Sequence, residues 1–491
     1  MTQMAEQPRT AVRTLKNYVG GQWVEPEAAG YLDVTNPASG DLLAQVPLST
    51  WSAVDRAVQA ARAAFPGWRA TPPIQRARAC YDLKYALEET KDEFALLVTR
   101  DNGKTLSDAT GEVRRGIECV EVATGVPTLM QGRNLEDVSR GIDCDLVRQP
   151  VGVFAAITPF NFPFMVPLWF LPFAIACGNT FVLKPSEQDP LAMDRLFEVM
   201  DEIGLPSGVV NLVHGDKASV NALLEHPEVD GVSFVGSTPV AHYIYETAAK
   251  HGKRVQSLGG AKNHVVVMPD ADLDMAVDGV LSSAFHGAGQ RCLANSVCVA
   301  VGEVYEPLKE RLVAKGGEMQ VSDGTAEGAE VGPVISAASK ERILGWIEKG
   351  VEEGGEIILD GRGRGPDEGC FIGPTIVESD PGSEIAREEI FGPVLTLLRA
   401  RDLDEALELM NASAKGNAAS IFTTSGAAMR KFRYEAQAGM LGVNIGVAAP
   451  MSYFPFGGFK QSLFGDLNVH GTDGIDFYTD KKTVVVRWPK S

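Results

Sequence analysis

Short apolar segments alternate with amphipathic ones along most of the chain from residue 150 onward. The runs VGVFAAI, GVVNLVHG, GVSFVGS and KRVQSLGG are typical of buried strands, and the segments between them place apolar residues at helical spacing. A second series predicts a strand, a helix, a strand and a helix over residues 264–270, 272–288, 296–302 and 304–315. This alternation favours an α/β fold with a doubly wound parallel sheet, which binds ligands at the carboxyl ends of its strands.

The remaining segments predict further elements on either side of this alternation. Ala-rich stretches with helical periodicity cover residues 51–66 and 75–100. Residues 403–424 and the strand GVNIG continue the second series, and the terminal GIDFYTDKKTVVVRW predicts one or two exposed strands. An exposed strand offers an unpaired edge that another chain can cover. A homo-oligomer, either a dimer or a tetramer, is therefore expected.

One stretch is long and apolar enough to resemble a membrane span. No residue from Pro150 to Leu183 is charged. Four prolines within it forbid one uninterrupted helix. We therefore expect a strand over 151–157, a buried helix over 165–177 and a strand over 180–184, with no membrane partner.

The composition narrows the possible classes of protein. The chain has 491 residues, enough for two or three domains, and a net charge of −19, which disfavours nucleic acid as a partner. Its seven cysteines include no C-x-x-C pair and its seven histidines no H-x-x-x-H pair, so no metal site is expected. Reduced thiols and the lack of an apolar N-terminal signal core predict a cytoplasmic protein. Glu6 argues against the transit peptide that Arg9 and Arg13 suggest.

Two glycine-rich segments bear on cofactor binding. The G-x-G-x-x-G fingerprint of many dinucleotide sites is missing after the predicted strands, and residues 361–369 precede no apolar helix, so they predict a surface loop. In FVGSTPV, however, Gly236 and Ser237 follow a strand and open a helix. The free N–H groups and positive dipole end of such a helix suit a phosphate.

Four further motifs carry side chains suited to catalysis or ligand binding. TPFNFP places Asn161 on a turn after a strand, VLKPSE ends a strand with Lys184 and Glu187, GQRC sets Cys292 in a glycine-rich turn, and EEIFGP adds a carboxylate and an aromatic ring. Each has a plain alternative, such as a turn-forming asparagine, a surface ion pair or a buried structural thiol. In this order, however, the five motifs strongly resemble the aldehyde dehydrogenase superfamily, from about residue 15 to the C-terminus.

The resemblance implies NAD-dependent oxidation of an aldehyde through a thioester on Cys292. The side-chain amide of Asn161 and the backbone N–H of Cys292 would stabilise the oxyanion. Glu187 is expected to favour NAD over NADP, because a 2′-phosphate would meet a carboxylate. Cys298, in an apolar strand, is expected to be a buried structural thiol. The implied cofactor-binding residues are Phe160, Lys184, Glu187, Gly236, Ser237, Glu389 and Phe391.

One departure from the superfamily pattern concerns the fate of the thioester. Most members carry Glu-Leu-Gly-Gly-Lys after the strand that follows the GST helix, and that Glu activates the hydrolytic water. Here the segment is QSLGGAKNH. Matching Leu-Gly-Gly puts Ser257 at the Glu position, whereas matching Lys262 without a gap before Cys292 puts Leu258 there, which is the register we favour. Both registers lack the carboxylate.

The GAKNH segment resembles the CoA-acylating methylmalonate-semialdehyde branch of the superfamily, which usually carries Asn where Leu258 stands. That branch implies release of the acyl group to coenzyme A, with loss of CO₂, giving propionyl-CoA or acetyl-CoA. Arg115 and Arg291 are expected to bind the substrate carboxylate, while Arg114 faces solvent. Surface charge is the alternative for both. The rival functions are a hydrolytic enzyme that uses Glu389 as base and a structural relative without activity.

The resemblance also implies an aldehyde dehydrogenase-like domain plan. Residues 1–122 and 147–258 would form the NAD-binding domain, and residues 259–448 an α/β catalytic domain. Residues 123–146 and 466–491 would form a small β element for oligomerisation.

Overall fold

The computed structural model describes residues 12–489. Glu6 and Arg9, which bear on a transit peptide, lie outside the described residues, as do the first and last residues of the predicted domains. The helices, by residue, are Trp51–Ala70, Pro73–Asn102, Leu106–Ala123, Val126–Leu129, Met165–Cys177, Leu191–Glu202, Lys217–Glu225, Thr238–Lys250, Leu273–Phe285, Tyr305–Glu318, Ala337–Glu352, Glu384–Arg387, Leu403–Asn411, Gly426–Glu435 and Gly471–Tyr478, with 3₁₀ turns at His286–Gly289 and Gly302–Val304.

An eight-stranded sheet forms the first half of the fold. Its five central strands are parallel and its edge strands antiparallel, which confirms the predicted doubly wound sheet. Within one central strand, Phe154 and Ala156 face one hydrophobic core while Val153 and Ala155 face the other. Helices therefore cover both faces. The spatial order is Leu463–Phe464, Arg254–Leu258, Gly231–Val235, Val153–Ile157, Thr180–Lys184, Val210–Leu212, Asn17–Val19 and Gln22–Val24.

A seven-stranded sheet forms the second half. All its neighbouring strands are parallel except the first pair. The helix predicted over 272–288 ends earlier, at Phe285, because His286 is extended and residues 287–289 are left-handed. The spatial order is Glu356–Leu359, Thr375–Glu378, Val394–Ala400, Asn295–Val301, Asn263–Val267, Ala418–Phe422 and Met440–Val443.

Three small sheets complete the fold. A three-stranded sheet of Thr479–Arg487, Ile142–Pro150 and Arg133–Ser139 stands at the surface, with Leu135 and Val485 exposed. The other two small sheets contain Arg13–Thr14, Leu42–Ser49 and Ala28–Thr35 in one, and Lys415–Gly416 and Phe459–Lys460 in the other.

The prediction of one or two strands over residues 474–488 was wrong in its first part. Gly471–Tyr478 is a helix, and only Thr479–Arg487 is a strand. Ile475 and Tyr478 are one helical turn apart and both are buried, and the ring of Tyr478 packs edge-on against Phe154. Tertiary burial of one helical face overrides the strand propensity of these aromatic residues.

The helix over 165–177 and the strands on either side of it are confirmed, with observed bounds Val153–Ile157, Met165–Cys177 and Thr180–Lys184. Among the described residues no helix is long and apolar enough to cross a membrane. The first predicted helix continues beyond Pro66 to Ala70, because the indole of Trp68 is buried and donates a hydrogen bond of 2.9 Å to the carbonyl of Ile175.

Asn179 joins the parallel sheet to the C-terminal helix. Its buried side chain accepts hydrogen bonds from the N–H groups of Val151 and Gly152, at 2.8 and 3.0 Å, and donates to the carbonyl of Tyr478 at 2.9 Å. The amide therefore satisfies buried backbone groups in two elements that are far apart in sequence.

We expect Asn179→Ala to lower the thermal midpoint Tm by several degrees. Each buried backbone group left without a partner costs about 1–3 kcal/mol. Thermal unfolding followed by circular dichroism measures the change, with Asn134→Ala in an exposed strand as the control. Equal midpoints for the two variants would show that Asn179 does not stabilise this junction.

Candidate active site

Two cavities meet at Cys292. The first, the Arg115 cavity, has a volume of about 300 Å³ and is lined by Arg115, Arg291, Trp169 and Phe456 among others. The second, the Lys184 cavity, has about 600 Å³. Cys292 and Asn161 line both. The Lys184 cavity brings together all the residues predicted for the cofactor, which are Phe160, Lys184, Glu187, Gly236, Ser237, Glu389 and Phe391.

The Lys184 cavity lies at the carboxyl ends of parallel strands, where such sheets bind ligands. Lys184 ends the strand Thr180–Lys184, and its Nζ lies 2.7 Å from Glu187 Oε2. Ser237 is the N-cap residue of the helix Thr238–Lys250, but its side chain makes no capping hydrogen bond. Its hydroxyl is therefore available to a ligand.

Glu389 and Phe391 line the Lys184 cavity from the second half of the fold. The carboxylate of Glu389 accepts a hydrogen bond of 2.9 Å from the N–H of Ala261, and burial raises its pKa. Phe391 has a left-handed backbone, with φ of 53°, and its ring stands nearly perpendicular to that of Phe160. A non-glycine residue in this region is held there only by its surroundings. The two aromatic rings therefore form a fixed wall of the cavity.

The turn before Cys292 is left-handed over three residues. Gly287, Ala288 and Gly289 have φ values of 61°, 52° and 67°. A Cβ on Gly289 would lie 2.1 Å from the carbonyl oxygen of Gly392, so only glycine fits there. The glycines of HGAGQRC thus make the turn that presents the cysteine.

Two asparagines fix the backbone of Cys292. The carbonyl oxygen of Cys292 accepts hydrogen bonds from the side-chain amides of Asn263 and Asn417, both at 2.8 Å. Asn263 also accepts from the N–H of Ala418, at 2.9 Å. This pair was not predicted from the sequence, because the two residues are 154 positions apart and only the parallel sheet brings them together. The asparagine in GAKNH was the available signal.

The loop of Asn161 rests on a buried ion pair that the sequence analysis also missed. Lys104 Nζ lies 2.5 Å from Glu112 Oε2 and donates to the backbone carbonyl of Asn161 at 2.7 Å. The other oxygen of Glu112 accepts from the N–H groups of Phe164 and Met165, at 2.9 and 3.1 Å. Glu112 thereby caps the helix Met165–Cys177 from another element, since that helix has no side-chain cap of its own.

The candidate positions for the missing carboxylate face opposite sides of the strand Arg254–Leu258. The hydroxyl of Ser257 donates to the carbonyl of Ala241, at 2.8 Å, on the helix side. Leu258 belongs to the hydrophobic core against which Cys292 packs. The geometry therefore agrees with the register that places Leu258, not Ser257, at the Glu position.

Arg115 and Arg291 both line the Arg115 cavity, whereas Arg114 is exposed and pairs with Glu88. Arg115 donates to the carbonyl of Pro450 at 2.7 Å and pairs with Glu118 at 3.0 Å. Arg291 makes one long hydrogen bond of 3.4 Å, so most of its donors remain available.

The comparisons with known proteins agree with this arrangement. Residues 23–484 match the model of the aldehyde dehydrogenase family. The chain belongs to the aldehyde dehydrogenase family. It is 53% identical over 482 residues to malonate-semialdehyde dehydrogenase 2 of Geobacillus kaustophilus, covering 98% of this chain and 100% of that protein. Malonate-semialdehyde dehydrogenase of Halalkalibacterium halodurans is 51% identical, with 96% and 98% covered.

Solved structures of family members have the same fold. The methylmalonate-semialdehyde dehydrogenase of Oceanimonas doudoroffii superposes with a TM-score of 0.96 at 46% identity, covering 98% of this chain and 99% of that one. A candidate methylmalonate-semialdehyde dehydrogenase of Sinorhizobium meliloti, complexed with NAD, gives the same TM-score at 43% identity and the same coverage. The aldehyde dehydrogenase fold that the sequence predicted is therefore confirmed.

Within this family fold, the surroundings of Cys292 favour the neutral thiol over the thiolate. Burial raises its pKa to about 12, although Arg291 acts in the opposite direction. The thiolate is the reactive form of cysteine. Cys298 is fully buried, as expected from its apolar strand.

We expect alkylation of Cys292 by iodoacetamide, without cofactor, to rise about tenfold per pH unit from pH 7 to pH 9. The reason is that a raised pKa leaves only a small thiolate fraction, which grows with pH throughout that range. Mass spectrometry of the labelled peptide measures the rate, and Cys298 should remain unlabelled. A rate that is already constant at pH 7 would contradict the raised pKa.

Proposed function

We propose that the protein is an NAD-dependent, CoA-acylating dehydrogenase of malonate and methylmalonate semialdehyde. The observation that carries the proposal is the position of Cys292 between the two cavities, with apolar Leu258 in the adjacent core where most family members supply a carboxylate. The names of the relatives from Geobacillus kaustophilus and Oceanimonas doudoroffii support the same substrate class.

In the proposed reaction the Cys292 thiol loses its proton to solvent, and its sulfur bonds to the aldehyde carbon from the Arg115 cavity while the carbonyl electron pair moves to oxygen. The side-chain amide of Asn161 and the N–H of Cys292 stabilise the oxyanion, which is commonly worth about 10²–10³ in rate per donor. NAD, when bound, accepts the hydride. The ion pair of Lys104 and Glu112 and the two asparagines on the Cys292 carbonyl hold these groups in place.

The residues of the Lys184 cavity suit a dinucleotide. Lys184 and Glu187 would hold the hydroxyls of the adenosine ribose. Ser237, at the start of the helix Thr238–Lys250 directly after Gly236, would hold a phosphate. Glu389 would hold the nicotinamide ribose, and Phe391 with Phe160 the ring.

We expect kcat/KM with NAD to be at least about tenfold higher than kcat/KM with NADP. Glu187→Gln should lower this ratio. A 2′-phosphate placed beside a partly buried carboxylate is repelled by several kcal/mol. Steady-state kinetics with both cofactors measures the preference. Glu246→Gln, at an exposed position on the helix Thr238–Lys250, should leave the ratio unchanged. A native preference for NADP would refute this assignment of Glu187.

Two arginines give the Arg115 cavity its proposed affinity for carboxylates. Guanidinium groups bind carboxylates in a bidentate manner. Arg115 is anchored by Glu118 and Pro450, and Arg291 lies beside the nucleophile with free donors. A substrate with an aldehyde at one end and a carboxylate at the other fits between Cys292 and these cations.

We expect Arg115→Leu to raise KM for malonate semialdehyde about tenfold or more, because a charge-assisted hydrogen bond is lost. KM for propanal, which has no carboxylate, should change little. Arg114→Leu is the matched control, since the neighbouring arginine faces solvent. Equal effects of Arg115→Leu on both aldehydes would contradict a carboxylate site.

Coenzyme A is the proposed acceptor of the acyl group. The carbon–carbon bond to the carboxyl group of the acyl thioester breaks, CO₂ leaves, and the α-carbon takes up a proton. The thiolate of coenzyme A then attacks the thioester carbonyl and Cys292 leaves as a thiolate. Water would need a base to lose its proton, and Leu258 provides none.

Without coenzyme A we expect a burst of about one NADH per active site followed by slow turnover, because thioester hydrolysis lacks general-base help worth roughly 10²–10⁴ in rate. Stopped-flow absorbance and mass spectrometry of the product measure both phases. Leu258→Glu should raise the rate without coenzyme A, while Leu258→Gln, similar in shape but uncharged, should not. Fast native turnover to a free acid would favour the hydrolytic rival with Glu389 as base.

We also propose a domain organisation, a subunit interface and a cell compartment for the protein. The eight-stranded sheet with its helices would be the NAD-binding domain, including residues 1–122 and 147–258, and the seven-stranded sheet the catalytic domain, 259–448. The surface sheet that includes parts of 123–146 and 466–491 would join subunits into a dimer or tetramer. The exposed Leu135 and Val485 support this use of the sheet. All seven cysteines are free, which suits a cytoplasmic enzyme.

A further inference from the structure

Asp108 connects the first half of the fold to the turn that carries the nucleophile. It lies in the first turn of the helix Leu106–Ala123, where its own N–H donates to the capping hydroxyl of Thr105, at 3.1 Å. Its Oδ2 accepts a hydrogen bond of 2.9 Å from the N–H of Gly287. Its other oxygen lies 3.6 Å from Nδ1 of His286. The carboxylate therefore contacts two successive residues at the start of the nucleophile turn.

The same turn supports Arg291. A Cβ on Gly287 would lie 3.3 Å from Cγ and Cδ of Arg291, so the stem of the arginine packs directly on this glycine. Asp108, Gly287 and Arg291 line the Arg115 cavity together. Burial by itself would raise the pKa of Asp108, but His286, Arg291 and the N–H of Gly287 together hold it below its ordinary value. Asp108 is therefore a carboxylate within a cavity proposed to bind a carboxylate.

A negative charge here would repel the carboxylate of the proposed substrate. Its presence in the cavity therefore indicates a different role. The left-handed backbone of Ala288 needs external support, because a residue with a Cβ is disfavoured at positive φ. The two asparagine amides hold the turn at its far end, on the carbonyl of Cys292. Asp108 and His286 hold it at its near end.

We propose that Asp108, paired with His286, is a positioning residue that orients Arg291 and the Cys292 turn toward the substrate. Asp108 acts through the N–H of Gly287, on which the stem of Arg291 packs, without touching the reacting atoms. The inference rests on the proposed roles of Arg291 and Cys292.

Asp108→Asn tests the proposal, since it preserves the shape of the side chain and removes its charge. If Asp108 were only a negative charge in the cavity, its removal would raise kcat/KM for the anionic malonate semialdehyde. Positioning predicts the opposite result, a fall of about tenfold, because a charge-assisted hydrogen bond to Gly287 is weakened and the stem of Arg291 packs on that glycine. The fall should be smaller for propanal, which does not use Arg291.

His286→Asn should change kcat/KM in the same direction by a smaller factor, and the double variant should be no slower than Asp108→Asn alone, because the two side chains act as one unit. Glu121→Gln removes an exposed charge on the same helix and is the matched control. It should leave kcat/KM for both aldehydes unchanged. A rise for malonate semialdehyde, or equal falls for both aldehydes, would overturn the proposal.

Alkylation of Cys292 by iodoacetamide in the presence of NAD separates this inference from the proposed function. It requires no semialdehyde, and it should be several-fold slower in Asp108→Asn than in the native enzyme at an unchanged Tm. An unchanged alkylation rate would overturn the positioning role even if the native enzyme oxidises malonate semialdehyde. A native enzyme that alkylates normally but ignores that substrate would refute the proposed function alone.

Discussion

The hydrogen bonds on the backbone carbonyl of Cys292 are the constraint around which the site is built. They come from Asn263 and Asn417, which begin or precede neighbouring parallel strands of the seven-stranded sheet. A sheet core is close-packed and resists deformation, so the backbone of Cys292, which is tied to it, is held in one place. The opposite half of the fold supplies Asn161, the residue proposed to bind the oxyanion, from a loop fixed by Lys104 and Glu112. The reacting geometry is thus a property of how the two sheets are joined.

The regular alternation of apolar and amphipathic segments made most of the fold predictable from the sequence. The central strands are buried on both faces, so they are continuous apolar runs. The helices Leu191–Glu202, Lys217–Glu225 and Thr238–Lys250 between them are amphipathic. The C-terminal helix Gly471–Tyr478 was not predictable in this way. Its aromatic residues have strand propensity, and their helical conformation depends on contacts with Phe154 and Asn179, which are hundreds of residues away.

The candidate site was predictable only where its residues lie in short motifs. Lys184, Glu187, Cys292 and Glu389 stand in recognisable local sequences, and the structure places them around two adjoining cavities. Lys104, by contrast, carries no local signal, because a lysine at a helix start is usually a solvated charge. Its role becomes visible only when Glu112 and the carbonyl of Asn161 are found beside it. Long-range pairs of this kind need a three-dimensional structure.

The neutral state of the Cys292 thiol has a consequence for the survival of the enzyme in the cell. Peroxide and other oxidants attack thiolates far faster than thiols, and the first oxidation product, a sulfenic acid, proceeds to irreversible forms. A cysteine whose pKa is raised to about 12 presents almost no thiolate at neutral pH. The raised pKa of this thiol at the junction of the cavities therefore protects the resting enzyme from oxidative inactivation.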